Sequence, residues 1–248
     1  MIRVENLHKR FGRQEVLCGV NLEVASGEIM AIIGRSGGGK TVLLKHLLGL
    51  LHADKGRIIV DGTDITHLRG AALEPVRRRF GVVFQGGALF DSMSVFDNVA
   101  FPLREKTRLS HAEIRERVEE KLAQVGLAEM GHKNPAEISG GMRKRVAIAR
   151  ALVTDPETVF FDEPTTGLDP ILVNTMHHLI GELHQKLHFT AVIVSHEIPE
   201  IFTVASRIAV LHEGVIVESG PAEAVQASTN PMVQHFIRGE VEMMENRP

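Results

Sequence analysis

The octapeptide GRSGGGKT at residues 34–41 restricts the fold of this chain more than any other feature of its sequence. It fits the pattern G-x-x-x-x-G-K-[ST], follows the apolar run EIMAIIG (28–34), and leads into KTVLLKHLLGL, which has the apolar spacing of a helix. Glycine amides, a lysine and a threonine hydroxyl in this order bind nucleotide phosphates and their Mg²⁺. The sequence therefore predicts a phosphate-binding loop whose residues are Gly34, Arg35, Ser36, Gly37, Gly38, Gly39, Lys40 and Thr41, followed by Val42.

Two further apolar runs, TVFFDE (158–163) and TAVIVSH (190–196), are continuously hydrophobic, as strands buried on both faces are. Helical patterns occur from Pro170 onward and after a capping box formed by Ser110 and Glu113. Strands alternating with helices predict an α/β fold with a parallel sheet. Glycine turns within 56–65 and 207–220 predict an additional antiparallel β portion.

The domain organisation follows from where these patterns stop. Residues 91–154 have helical patterns and no convincing strand, so we predict a helical subdomain inserted into a nucleotide-binding core of residues 1–90 and 155–228. We predict a single domain over 1–238, and a C-terminal extension over 229–248, which is acidic and weakly patterned.

Composition argues against several classes of protein. A net charge of −3 gives no electrostatic reason to expect nucleic acid or anionic lipid as the main partner. The lone Cys18 cannot form an intrachain disulfide, which fits a reducing compartment. No apolar run approaches the roughly 20 residues of a membrane helix, so we expect membrane contact only through another protein.

Two adjacent carboxylates end the run TVFFDE. Buried carboxylates are costly unless a metal or a substrate uses them, so we predict that Asp162 coordinates Mg²⁺ and that Glu163 orients or deprotonates the attacking water. Two solvated acids at a strand end are the alternative interpretation. Gln85 and His196 also end apolar runs, and each is ambiguous by itself, because a residue at a strand end is often purely structural.

The segment ISGGMRKR (138–145) places three cations, Arg143, Lys144 and Arg145, at the start of a helix, where the dipole is already positive. A solvated basic face explains this arrangement. A helix N-terminus that receives a phosphate, with Ser139 as its cap, explains it too. The residues alone leave both explanations open.

In this order along the chain, these motifs resemble those of the nucleotide-binding subunit of ATP-binding cassette (ABC) transporters, over nearly the full length. The resemblance implies a RecA-like P-loop ATPase fold and an enzyme that hydrolyses ATP with Mg²⁺ as a head-to-tail homodimer. It implies catalytic roles for Lys40, Gln85, Glu163 and His196, phosphate contacts from Ser139, Gly140 and Gly141 to the partner subunit's ATP, a D-loop at Asp169, and Mg²⁺ ligands at Thr41, Gln85 and Asp162. The cations of ISGGMRKR are then expected to face anionic surroundings.

Two residues depart from the family's usual pattern. Met142 stands where the family usually has Gln, and because Met cannot donate a hydrogen bond, the phosphate contact would rest on Ser139 and backbone amides. The chain has no Tyr or Trp, and Phe11 occupies the place of the aromatic residue that stacks on adenine.

Residues 82–105, the motif SGGM and the tail segment HFIRGE (235–240) resemble one branch of the family, the ATPase of the Mla phospholipid-transport system, which maintains outer-membrane lipid asymmetry. This branch implies an integral-membrane permease, an MCE-domain lipid-binding subunit and a small STAS-domain protein as partners, on the cytoplasmic face of the bacterial inner membrane.

Other functions fit the residues less well. The ATPase of a solute importer, for instance for amino acids, is the main alternative. DNA-repair ATPases with these motifs need a long coiled-coil insertion, which this sequence does not contain, and a small-molecule kinase would leave Ser139 to Gly141 without a role.

Overall fold

The computed structural model describes residues 1–238 of the 248-residue chain. These residues form ten strands and eight helices. In chain order they are β1 (Ile2–Phe11), β2 (Gln14–Val24), β3 (Ile29–Ile33), α1 (Lys40–Leu47), β4 (Lys55–Val60), β5 (Thr63–Asp64), α2 (Glu74–Arg77), β6 (Phe80–Val83), α3 (Val95–Lys106), α4 (His111–Gln124), α5 (Gly140–Leu152), β7 (Thr158–Asp162), α6 (Pro170–Leu187), β8 (Thr190–Ser195), β9 (Arg207–His212), β10 (Val215–Pro221), α7 (Ala222–Gln226) and α8 (Pro231–Ile237). The mixture of parallel strands, antiparallel strands and helices confirms the predicted α/β class. None of the helices in residues 1–238 is both long enough and apolar enough to cross a membrane.

The chain divides into two compact units, one of Met1–Leu68 with the residues from Val194 onward, the other of Arg69–Ile193. The first unit contains a four-stranded antiparallel sheet in the order β2-β1-β4-β5. Ile2 lies opposite Val24 of β2 and Val60 of β4, and all three side chains are buried. Sequence patterns did not identify β1 and β2 as strands, because register shifts interrupt their alternation of buried and exposed residues.

Strand β3 belongs to the first unit as well, and it positions the phosphate-binding loop. It pairs parallel with β9, and β9 pairs antiparallel with β10. All five residues of β3 are buried, as the continuous apolar run predicts, and the strand ends one residue before Gly34. The antiparallel pairs β4–β5 and β9–β10 confirm the hairpins predicted within 56–65 and 207–220.

The second unit contains the parallel pair β6–β7, with β8 next to β7. The rings of Phe80 and Phe160 meet edge to face across that pair, with centroids 5.0 Å apart. Residues 91–154 hold α3, α4 and α5 and no strand, in agreement with the helical pattern of the sequence. The predicted capping box of α4 is confirmed, because the backbone N–H groups of Ser110 and Glu113 each donate to the other residue's side chain.

Two short helices, α7 and α8, follow the last strand. Asn230 caps α8 by accepting from the N–H of Met232 at 3.1 Å. The predicted C-terminal extension (229–248) therefore begins with a helix, and its residues 239–248 lie outside the part of the chain that the structure describes.

Candidate functional site

In the first unit, the loop of residues 34–39 connects β3 to α1. Gly39, the residue before the helix, has φ 96, a left-handed conformation that favours glycine. A Cβ on Gly34 would lie 2.3 Å from the carbonyl oxygen of Leu211, so only glycine fits there. The loop therefore requires glycine at these two positions.

Lys40 is the first residue of α1, and its side chain is buried against the same loop. Its Nζ donates to the carbonyl oxygens of Gly34 at 2.8 Å and Arg35 at 3.0 Å. The residue is 4% exposed. The first turn of α1 is Lys40-Thr41-Val42-Leu43, which contains no carboxylate, so its positive dipole end and its cation both favour an anion.

Phe11, the last residue of β1, is 47% exposed, which leaves its ring accessible for stacking. The ammonium of Lys9 lies 5.5 Å from the ring centroid. That ammonium is held by the carboxylate of Asp54 at 3.0 Å and the carbonyl of His52 at 2.9 Å. Hydrogen bonds from the Arg10 N–H and from Lys9 lower the pKa of Asp54, so the carboxylate stays charged.

In the second unit, β7 ends at Asp162, which is 9% exposed, and Glu163 follows it at once. Glu163 has φ 49, a left-handed conformation that is strained for a residue with a Cβ. Its Oε2 accepts hydrogen bonds from Nε2 of Gln85 and from Oγ1 of Thr166, both at 3.1 Å. The structure therefore brings the predicted residues Gln85 and Glu163 together. Thr166 was missed, although it stands only three residues after Glu163.

Ser139 caps α5 as the sequence predicts, because its Oγ accepts from the N–H of Met142 at 3.2 Å. Ser139 and Gly140 are exposed, so another chain can reach them. Asp169 caps α6 in the same way and accepts from the N–H groups of Ile171 and Leu172, both at 3.1 Å. His196 is exposed directly after β8, in the first unit.

The three cations at the start of α5 have partners that the sequence did not predict. Arg143 donates to the carbonyl of Ile138 at 2.9 Å, and Arg145 donates to the carbonyl of Val125 at 3.2 Å. Lys144, 9% exposed, donates its Nζ to the carbonyl of Gln85. Each of the three cations thus has a backbone carbonyl acceptor, and the anionic surroundings expected from the partner subunit's ATP stay a prediction. The signal for Lys144 was present in the sequence, since it shares a helix face with the apolar residues Ala147, Ile148 and Ala151.

A groove of about 450 Å³ lies in the second unit, beside β6 and α3. It is lined mainly by Phe84, Ala88, Phe90, Phe101, Pro102 and Arg150. Phe84 is 40% exposed and Phe90 is 41% exposed, which is unusual for large apolar side chains. Asn98 fixes the wall containing Phe90, accepting from its N–H at 2.8 Å and donating to its carbonyl at 3.0 Å. The groove is thus an apolar surface with a fixed backbone.

The predicted residues fit a nucleoside triphosphate with Mg²⁺ by their chemistry. The glycine-rich loop and the start of α1 present N–H donors and a cation to phosphate oxygens. The Thr41 hydroxyl, the Gln85 amide oxygen and the Asp162 carboxylate are the oxygen donors that Mg²⁺ prefers. No group of three or more His, Cys, Asp or Glu residues within 1–238 is arranged to hold a metal by itself.

Comparison with known proteins gives consistent results. A family model described as ABC transporter matches residues 17–166. The chain is 45% identical over 238 residues to the probable ribonucleotide transport ATP-binding protein mkl of Mycobacterium tuberculosis (strain ATCC 25618 / H37Rv), covering 96% of this chain and 66% of that protein. It is 42% identical over 240 residues to the intermembrane phospholipid transport system ATP-binding protein MlaF of Haemophilus influenzae, covering 97% of this chain and 91% of that protein.

Among solved structures, one similar chain is the ATP-binding cassette MJ0796, in a dimeric post-hydrolysis state bound to ADP and Pi. The TM-score is 0.82 and the identity 31%, over 90% of this chain and 100% of that one. The chain thus spans nearly all of MlaF and of this cassette, but only about two thirds of mkl.

Proposed function

The chain belongs to the ABC transporter family of ATPases, and from this premise we propose that it hydrolyses ATP to energise phospholipid transport through a membrane permease. The observation that carries the ATPase activity is the pair of features described above, a buried Lys40 on a glycine loop and a Glu163 carboxylate fixed by Gln85. The phospholipid cargo rests on the 42% identity to MlaF, because the chain covers 91% of that protein's length.

In this proposal the first unit holds the triphosphate. The loop amides of residues 34–41 and Lys40 bind the β- and γ-phosphates, and Phe11 stacks on the base. Thr41, Gln85 and Asp162 would hold Mg²⁺, which when bound neutralises charge on the phosphate oxygens. Glu163 orients or deprotonates the attacking water, and His196 contacts the γ-phosphate. Hydrogen bonds donated by Gln85 and Thr166 fix the direction of the Glu163 carboxylate.

We also propose a head-to-tail homodimer, in which Ser139, Gly140 and Gly141 of one chain contact the ATP bound by the other. The exposure of Ser139 and Gly140 at a helix N-terminus supports this role, since such an end attracts phosphate. Ile171, 78% exposed after Asp169, is an apolar residue that a partner chain would cover. ATP would close the two chains, and hydrolysis would open them.

The permease is proposed to dock in the apolar groove, where Phe84 and Phe90 would be covered. The chain would then lie at the cytoplasmic face of a bacterial inner membrane, held there by its partner. An MCE-domain lipid-binding subunit and a small STAS-domain protein complete the proposed complex.

The gene product mkl carries a ribonucleotide-transport name, so ribonucleotide cargo is the second candidate function.

The ATPase proposal is tested by replacing Glu163 with Gln, which keeps the shape and removes the charge. We expect ATP turnover to fall at least about 100-fold, while ATP still binds and produces a stable dimer visible by size-exclusion chromatography. The control is Glu157→Gln, which removes a carboxylate from an exposed ion pair with Arg79. Wild-type turnover in Glu163→Gln would remove Glu163 from its proposed role.

The cargo is tested by mass spectrometry of everything that co-purifies with the chain from native membranes in mild detergent. A permease together with an MCE-domain subunit and bound phospholipid would support the proposal. A permease with a soluble solute-binding protein, or with a bound ribonucleotide, would overturn the cargo and keep the ATPase assignment. The absence of a membrane partner would contradict the transporter role.

A further inference from the structure

Two cations of helix α5, Lys144 and Arg150, donate hydrogen bonds to one short segment that lies earlier in the chain, residues 85–88. Lys144 donates its Nζ to the carbonyl of Gln85. Arg150 donates its Nη2 to the carbonyl of Gly87 at 2.5 Å and its Nη1 to the carbonyl of Ala88 at 2.7 Å. Three carbonyl groups within four residues are thus held by side chains of a single helix, which lies about 60 residues further along the chain.

The burial of Lys144 makes this arrangement costly. Lys144 lies on the face of α5 that otherwise buries Ala147, Ile148 and Ala151, and only 9% of it is exposed. An apolar residue would pack at this position without the desolvation penalty of an ammonium group. Burial also lowers the pKa of Arg150, whose guanidinium is nevertheless always charged. Because desolvating two cations is costly, we infer that holding residues 85–88 in place serves a purpose other than packing.

The segment that these cations hold connects two parts of the proposed function. Its first residue, Gln85, donates its side-chain amide to Glu163 at 3.1 Å. Its last residue, Ala88, lines the groove, together with Phe84, Phe90 and Arg150 itself. The guanidinium of Arg150 also lies 6.0 Å from the ring centroid of Phe90. The same four residues therefore touch the groove at one end and the proposed catalytic carboxylate at the other.

We propose that Lys144 and Arg150 are positioning residues that fix the backbone of residues 85–88, so that Gln85 presents its amide to Glu163 in one geometry. The inference rests on the proposed function, because it assigns these cations to the ATPase reaction of Gln85 and Glu163. It predicts that Lys144 acts through Gln85 rather than through the phosphates.

Arg145, another cation of α5, provides a matched control. Arg145, like Lys144, donates to a backbone carbonyl from the first turns of the helix, but its partner is Val125, in the loop after α4. Removing the charge at 145 therefore removes one helix cation and one carbonyl contact without touching residues 85–88.

The experiment compares Lys144→Met, Arg145→Met and wild type in the full-length chain, by steady-state ATP hydrolysis and by thermal unfolding. We expect Lys144→Met to lower kcat about tenfold with KM for ATP unchanged, because Glu163 loses its fixed partner while the phosphate-binding loop is intact. We expect Arg145→Met to keep kcat within twofold of wild type. Lys144→Arg, which keeps a cationic donor, should restore most of the activity.

A double-mutant cycle with Gln85→Ala separates positioning from a general structural role. If Lys144 acts through Gln85, Lys144→Met adds no further loss of kcat to Gln85→Ala. Losses that multiply in the double variant, or a kcat for Lys144→Met equal to wild type, would overturn the inference. Should Lys144→Met fail to fold, Lys144→Gln enters the same cycle. A wild-type chain that does not hydrolyse ATP would instead overturn the proposed function itself.

Discussion

Helix α1 follows a glycine-rich loop and helix α5 begins with two glycines, and the two helices are capped in different ways. α1 follows Gly39, which has no side chain with which to cap the helix. α5 follows Ser139, whose hydroxyl accepts the N–H of Met142. The cations differ in part. Lys40 folds onto its own loop, and Arg143 likewise donates to Ile138, directly before α5, whereas Lys144 and Arg145 donate to carbonyls of distant residues.

The difference teaches that a basic, glycine-rich helix start can serve two purposes. In α1 the cation and the uncapped N–H groups are proposed to form one phosphate site. In α5 Ser139 and Gly140 are exposed and Gly141 is buried, while the cations donate to backbone carbonyls. A cation at the start of a helix therefore does not by itself imply contact with a ligand.

The largest effect that tests this comparison is expected from Lys40→Ala. Its charge-assisted hydrogen bonds to phosphate are worth about 1.5–3 kcal/mol, so the affinity for ATP should fall up to about 100-fold. Isothermal titration calorimetry measures this, with Lys45→Ala, an exposed cation of the same helix, as the control. Equal affinities for Lys40→Ala and Lys45→Ala would mean that α1 is not the phosphate site.

A smaller and different effect is expected from Ser139→Ala. Loss of the cap costs about 1 kcal/mol of folding free energy. ATP affinity of the single chain should stay within twofold of wild type, because the proposed contact is to the other chain's ATP, while kcat should fall about tenfold. The control is Ser110→Ala, which removes the cap of α4 at a similar cost in stability. If both variants lose the same activity, Ser139 is a helix cap and nothing more.

The smallest effect sharpens a further contrast, since α1 buries a histidine and α5 contains none. His46 is fully buried, and its Nδ1 donates to the carbonyl of Val42 at 2.7 Å. Burial lowers the pKa of His46 below 6.5, so the unfolded chain binds a proton that the folded chain does not. Stability should therefore decrease as the pH falls through 6.5 and level off below the folded-state pKa, with a slope of at most about 1.4 kcal/mol per pH unit.

Urea denaturation between pH 7.5 and 5 measures this slope. His46→Gln should flatten the profile, whereas His111→Gln, which removes an exposed histidine at the start of α4, should leave it as in wild type. Identical slopes for all three proteins would show that His46 does not carry the pH dependence.

Sequence patterns predicted the elements whose signals are local. The P-loop spacing, the apolar run of β3 and the capping box of α4 each lie within a few residues, and each element was found where the pattern placed it. Strands β1 and β2 were missed because irregular register breaks their alternation. The roles of the predicted site residues in ATP hydrolysis stay predictions, and the experiments above address them.

Contacts between distant residues could not be predicted in the same way. Lys144 and Gln85 are 59 positions apart, and Gln85 and Glu163 are 78 apart, so no periodicity or spacing connects them. The sequence showed that cations were present at the start of α5, and it gave a reason to expect anions nearby. Only the folded backbone shows that the acceptors are carbonyl oxygens.

The left-handed backbone of Glu163 has a consequence for protein engineering. At φ 49 the chain favours Gly or Asn, and replacing the residue with either would relieve a strain of about 1 kcal/mol. Selection of variants for heat resistance alone would therefore be drawn toward position 163, and the variants it favoured there would lack the carboxylate. A screen for thermostable variants of this protein needs an activity threshold at every round, because stability favours Gly or Asn at position 163 whereas the proposed reaction requires the Glu163 carboxylate.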